Sequence, residues 1–287
     1  MKKRIFCAVL AAVIACSMIG CGSGKTDGKG PEDQSGTTAD DEADAADEEA
    51  DETDEATGDE GDAASVSDTV LWFNGTWAIL SSLNGFDYKT YPGLEINETN
   101  TALQKASLEQ SWDVTDKKSA EETLAWVMDE GGHREQFLEE MKQFEDNGIS
   151  DAADGNYKDW ILENYDLSSN DPEGLAQSYA DAYAFYIEHS ETGIAAWDYS
   201  RAMSLCAFYC LAEYYTEEEA LKQSMKIAKK AQKEFSSWDE FYESYFAGYE
   251  YWAGESSDER RAVYEEIKED ENSPFLLDWN LTLEKTW

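Results

Sequence analysis

Cys21 is the residue whose neighbours most narrowly define a reaction. It closes the run Ser17-Met18-Ile19-Gly20-Cys21, behind Lys2-Lys3-Arg4 and a mostly apolar stretch from Ile5 to Ile19. A basic start, a short apolar core and a small residue before a cysteine make a secretory signal of the bacterial lipoprotein type. The chemistry predicted is cleavage before Cys21 and attachment of a diacylglycerol to its thiol. The competing reading is a membrane-spanning helix, but residues 5–20 fall short of the ~20 apolar residues that crossing requires. Two or three acyl chains hold a protein stably, at ~0.8 kcal/mol per buried methylene.

Further along, Asp198 and Arg201 stand three apart in a segment that is otherwise apolar up to Glu213. Burial there is tolerable for a hydrogen-bonded pair and costly for a lone charge. Two readings follow: a structural ion pair that fixes helix packing, or an active-site carboxylate oriented by arginine. No nucleophile or base with convincing spacing accompanies them, so catalytic residues stay unassigned. The two histidines, His133 and His189, belong to no His-Glu-x-x-His pattern, and no Cys-x-x-Cys pattern exists. Neither a metal site nor a cofactor is expected. Cys206 and Cys210 lie four apart in a helical pattern, a spacing that disfavours an unstrained disulfide, so two buried thiols are expected.

Two surface features carry binding chemistry. Lys222, Lys226, Lys229, Lys230 and Lys233 fall on one helical face, opposite Leu221, Met225, Ala228 and Phe235. They make either an ordinary solvated face or a contact surface for anionic lipid, an acidic partner or the chain's own acidic segment. Trp238, Phe241, Tyr242, Tyr245, Phe246, Tyr249 and Trp252 form an aromatic stripe at three- and four-residue spacing. Such a stripe is either core or a stacking groove for sugar or peptide.

These residues sit in three regions: a signal peptide over 1–20, a lipidated N-terminus with a disordered acidic linker over 21–66, and a domain over 67–287. The chain carries a formal charge of −41, and Glu32 to Asp62 alone holds sixteen acidic residues and no basic one. No aromatic occurs between Phe6 and Trp72. Such a segment cannot bury enough apolar area to order itself, and its like charges extend it as a spacer. The remaining domain holds 17 basic against 46 acidic residues. Nucleic-acid binding is excluded as an expectation, since phosphate neutralisation needs a basic surface.

The domain's apolar periodicity is helical almost throughout, which predicts one all-α, multi-helix domain. Helices are expected over 69–83, 99–112, from a cap at Thr115 or Asp116 to Gly131-Gly132, and from His133 to Asp146. Residues 147–158 read as a loop. Asp171-Pro172 opens the next helix with a capping carboxylate and a first-turn proline. The segment from Ile194 to Glu213 is apolar all round and reads as a buried helix. Thr216 with Glu219 makes a capping box, and Ser236 with Asp239 is read as a second. Gly254 ends the aromatic helix.

The stretch Gly193-Ile-Ala-Ala-Trp-Asp-Tyr-Ser-Arg-Ala202 resembles the signature of the bacterial family called domain of unknown function 1266. So do Ser236-Ser-Trp-Asp-Glu-Phe241, Ser244-Tyr245, Gly248 and Tyr251-Trp-Ala-Gly254. Upstream, Ser111-Trp112 through Thr115-Asp116, Leu124 to Trp126 and Gly132-His133-Arg134 are similar to its N-terminal part. The resemblance implies a helical domain and no activity. Relatives often follow the Trp-Asp helix with an arginine-rich segment, where this chain has Leu205-Cys-Ala-Phe-Tyr-Cys210. The expectation is an extracytoplasmic lipoprotein on the cell membrane, anchored by its N-terminal lipid, whose domain binds a protein or envelope component without catalysis. The alternatives are an unrecognised envelope hydrolase and an inhibitor or immunity-type module against an exported toxin.

Overall fold

The computed structural model describes residues 3–4, 66–129, 131–189 and 192–287; Cys21 and the acidic stretch lie outside them. The domain is all-α. Its helices are α1 (Asp68–Gly75), α2 (Ala78–Leu83), α3 (Glu98–Trp112), α4 (Lys117–Met128), α5 (His133–Asp146), α6 (Tyr157–Asn164), α7 (Pro172–Glu188), α8 (Ala195–Leu211), α9 (Glu217–Glu234), α10 (Trp238–Ala253) and α11 (Asp258–Glu269). Among the described residues, strand pairing is confined to Lys3–Arg4 parallel to Tyr165–Asp166.

Helix α8 is the axis of the fold. Fifteen of its seventeen residues are buried, because α3, α4, α5, α9 and α10 all pack on it. That is the physical meaning of its all-round apolar sequence. A main core gathers α1, α2, α4, α8, α9, α10 and the C-terminal segment. A second cluster joins α5, α6 and α7 around Phe137, Phe144, Tyr179 and Tyr183.

The aromatic stripe of α10 is chiefly core: Trp238, Phe241, Tyr242, Tyr245 and Phe246 are buried. Tyr249 and Trp252 are half-buried against the Trp197 ring, at 5.9 and 5.4 Å between centroids. The C-terminal segment closes the main core by pairing indoles with carbonyls. Trp279 Nε1 donates to Phe235 O at 2.6 Å, and Trp72 Nε1 donates to Trp279 O at 3.1 Å.

Three local expectations are corrected, and one helix is added to them. The single helix over 69–83 is broken at Thr76-Trp77, where Tyr242 Oη donates to the Gly75 carbonyl that a continuing helix would use. The segment read as a loop to 158 gives way to α6 from Tyr157, capped by Asn156. Helix α11, which no cap or stripe announced, carries its buried face on Tyr264 and Ile267. The cap of α10 is Ser237, which accepts from Glu240 N. Ser236 instead donates its backbone N–H to the Glu240 carboxylate at 2.7 Å, so the cap lies one residue later than the sequence suggested and the reciprocal bond of a capping box is not made.

Candidate functional site

Helix α5 begins at Gly132, which has no side chain to cap the first-turn N–H groups. Uncapped N–H groups need an outside acceptor, and the helix dipole favours a negative one. Helix α8 supplies it. Asp198 Oδ1 accepts from His133 N at 2.9 Å, and Oδ2 accepts from Arg134 N at 3.0 Å, across 65 and 64 residues of sequence. The glycine is required for that approach: a Cβ on Gly132 would stand 2.9 Å from Asp198 Oδ2 and 3.3 Å from Val127 O. Gly131 has a separate reason, since a Cβ there would strike the Trp126 ring at 2.1 Å.

Arg201 lies one turn along α8 from Asp198, on the same face. Its Nη1 reaches Asp198 Oδ1 at 3.3 Å and His133 Nδ1 at 2.7 Å. Guanidinium only donates, so His133 accepts on Nδ1 and carries its ring proton on Nε2. The guanidinium also lies over Trp112, 5.1 Å from the ring centroid. Burial lowers the Arg201 pKa, and the Asp198 charge and hydrogen bond oppose that shift. The sequence paired Asp198 with Arg201 alone. The structure brings them together, but as two members of a four-part cluster with His133 and the start of α5.

A second polar layer adjoins the first. Arg134 Nη1 donates to Glu234 Oε2 at 3.1 Å, and Tyr199 Oη donates to Glu234 Oε1 at 2.9 Å. Burial, and then the neighbouring Glu234 charge, push the Tyr199 hydroxyl pKa well above its ordinary value. A cavity of about 260 Å³ opens between the layers, lined by Val127, Gly132, Arg134, Ala195, Asp198 and Tyr199, with Asp129 and Glu135 also in its wall.

The same device recurs one step back. The N-cap of α8, Ile194, offers no side-chain acceptor. Ser244 of α10 accepts from Ala196 N at 3.2 Å and donates to Gly193 O at 2.8 Å. Gly248 lets Trp197 settle on α10, since a Cβ there would meet Trp197 Cβ at 2.3 Å. Thus α10 caps α8, and α8 caps α5.

The other candidates fall elsewhere. His189 is the C-cap of α7 and stacks on Phe185 at 4.3 Å. Among the described residues, no group of three or more His, Cys, Asp or Glu is placed to hold a metal ion. Cys206 and Cys210 are free and buried, and burial pushes each thiol up to about 12. The five lysines of α9 are all exposed. Among the described helices, none is long and apolar enough to cross a membrane. Sequence reasoning missed Glu234, Tyr199 and the capping role of Asp198. The available signal was that Trp112, Gly132-His133-Arg134 and the Trp197-Asp198 segment all carry the family resemblance, and these three meet here.

The comparisons agree with that resemblance. The family described as "Protein of unknown function (DUF1266)" matches residues 107–279, more than half of the chain. The chain is similar to Uncharacterized protein YbeR of Escherichia coli (strain K12), 29% identical over 141 residues, covering 47% of this chain and 57% of that protein. It is also similar to Uncharacterized protein YbeU of the same organism, 23% identical over 143 residues, covering 47% of this chain and 59% of that protein. The chain thus spans under three fifths of the length of each of these relatives. No solved structure matches.

Proposed function

The chain belongs to the DUF1266 family, and from that membership, the N-terminal sequence and the geometry around Asp198 we propose a non-catalytic binding role. In this reading the chain is an extracytoplasmic lipoprotein, held on the cell membrane by lipid at Cys21. The acidic stretch is the spacer, and the helical domain binds a protein or envelope component.

The observation that carries the binding reading is the use made of Asp198. Both of its oxygens accept backbone N–H groups of α5, and Oδ1 also faces Arg201. A carboxylate that moved to take a proton would release the start of α5. Arg201 is likewise held between His133 and the Trp112 ring. The cluster has the composition of an active site and the connectivity of a scaffold. It supports a rigid cavity wall, which suits recognition.

The test is a crosslinked pull-down from producer envelopes with the mature chain as bait. A discrete partner is expected with the wild-type chain, reduced when Asp129 and Glu135 at the cavity are changed to lysine. Recovery unchanged by those substitutions would place binding away from the cavity. One observation favours a second reading, an envelope hydrolase: the cavity of about 260 Å³ touches Asp198, Arg134 and Tyr199 together. An Asp198→Asn chain that stays folded and loses a cell-wall hydrolytic activity would bring that reading forward.

A further inference from the structure

We infer that the lysine face of α9 docks on an anionic bilayer and so orients the domain. The inference rests on the lipid-anchored reading and adds a second contact to it. Lys222, Lys226, Lys229, Lys230 and Lys233 are exposed, and at 100° per residue they share one side of α9 along about 17 Å of helix.

What separates these five from the domain's other cations is compensation. Lys89, Lys117, Lys118, Lys142, Lys158, Lys268 and Lys285 each have a carboxylate within ion-pair reach. So do Arg134, Arg201 and Arg261. Lys105 lies over the Tyr214 ring, and Arg260 over the Tyr249 ring. Among the described residues, none of the five α9 lysines pairs with a carboxylate, and Lys226 meets only the Gln223 amide oxygen, at 2.9 Å. Carboxylates are abundant in this domain, so five cations on one helix face with none in ion-pair reach form a local positive field, although Lys222 acts electrostatically on Glu218 one turn away. The Debye length at physiological salt is about 8 Å, so acidic surface farther off is screened, while Glu121, Glu218 and Glu219 lie nearer, beside Lys222 and Lys226 at one end of the row.

The chemistry of the row selects the partner. A protein interface needs an apolar or aromatic centre and is depleted in lysine. Among the described residues, the large exposed apolar side chains are Ile96, Leu103, Trp126, Ile187 and Leu276, and none lies on α9. A headgroup surface needs charge alone, and polybasic rows on helices are attracted to it. An anchor at Cys21 makes the contact intramolecular, so weak affinity suffices.

The test is an amine footprint of the full lipidated chain in phosphatidylcholine vesicles, with and without one third phosphatidylglycerol. Acetylation of the five lysines, read by mass spectrometry, should fall at least threefold on the anionic vesicles, with Lys118 and Lys142 unchanged. Half-molar sodium chloride should restore it. Equal labelling on both vesicles overturns the inference. Protection by soluble polyglutamate but not by phosphatidylglycerol also overturns it, in favour of an acidic protein partner. Failure of the anchor is seen separately, as a chain that does not float with neutral vesicles. In that event flotation with anionic vesicles decides. It should be lost when all five lysines are changed to glutamine, and equal flotation overturns the inference.

Discussion

Replacing Asp198 with alanine tests whether the cluster is a cap or only an ion pair. The change leaves the N–H groups of His133 and Arg134 without their acceptor. An unsatisfied buried donor costs ~1–3 kcal/mol, and the adjoining cavity admits water, so ~1 kcal/mol each applies. Removing one partner of a buried pair costs ~3–5 kcal/mol when nothing else holds the other. Here Arg201 keeps His133 Nδ1 at 2.7 Å and the Trp112 face, so roughly 1–2 kcal/mol is expected from that part. The sum is about 3–4 kcal/mol, a melting shift of about 10 °C at the ~2–4 °C per kcal/mol usual for this size. Urea unfolding of the mature chain, followed by tryptophan fluorescence, measures it. Hydrogen exchange should show the His133 and Arg134 amides losing protection while the middle of α9 keeps it. The changes Asp198→Leu and Arg201→Leu together separate the two accounts. An isolated ion pair swapped for apolar side chains is often near neutral. A missing cap is not repaired by them, so the double variant should remain at least ~2 kcal/mol below wild type, from the two orphaned N–H groups. Wild-type stability in the double variant, or an Asp198→Ala loss under ~0.5 kcal/mol, would refute the capping account.

Gly132→Ala should cost ~1–2 kcal/mol by thermal melting, because its φ of −68° suits alanine while an added Cβ crowds Asp198 Oδ2 at 2.9 Å and Val127 O at 3.3 Å. In an Asp198→Ala background that cost should fall without vanishing, since the contact with Asp198 is gone and the one with the Val127 carbonyl remains. Ser244→Ala should lose ~1–2 kcal/mol in urea unfolding, since it uncaps α8 from a distance. Cys206 and Cys210 should resist a disulfide reagent at pH 8 in the native chain and react fully in urea, because burial holds both thiols up to about 12. Their raised values also set a sign: above about 8.5 the unfolded thiols release protons that the folded ones keep. Stability should therefore decline as pH rises from about 9 toward 12, less steeply when both are changed to alanine.

Much of the architecture was legible because it is written locally. The glycines before His133, the Asp171-Pro172 start and the Thr216–Glu219 box place the starts of α5, α7 and α9 within a residue or two of those observed. The apolar circumference of α8 announced its central position. What escaped has a common cause, since it depends on partners distant in sequence. Gly75 ends α1 because Tyr242, 167 residues later, takes its carbonyl. Helix α5 looked uncapped because its cap lies on α8, and α8 because its cap lies on α10. No motif marks Glu234 in the sequence, yet it joins Arg134 and Tyr199 beside the cavity. The Asn156 cap of α6 lies just after Gly155, inside a glycine-marked stretch, and α11 buries only Tyr264 and Ile267, so neither helix was read from the sequence.

The proposal as a whole turns on the anchor, and one measurement reaches it directly. Wild-type and Cys21→Ala chains would be expressed in the producer with a clickable fatty acid, and each partitioned between detergent and water. The lipoprotein account predicts label and detergent partitioning for the wild-type chain, and an unlabelled, uncleaved precursor for Cys21→Ala. Equal labelling of the two chains, or an unlabelled wild-type chain in the aqueous phase, would contradict it.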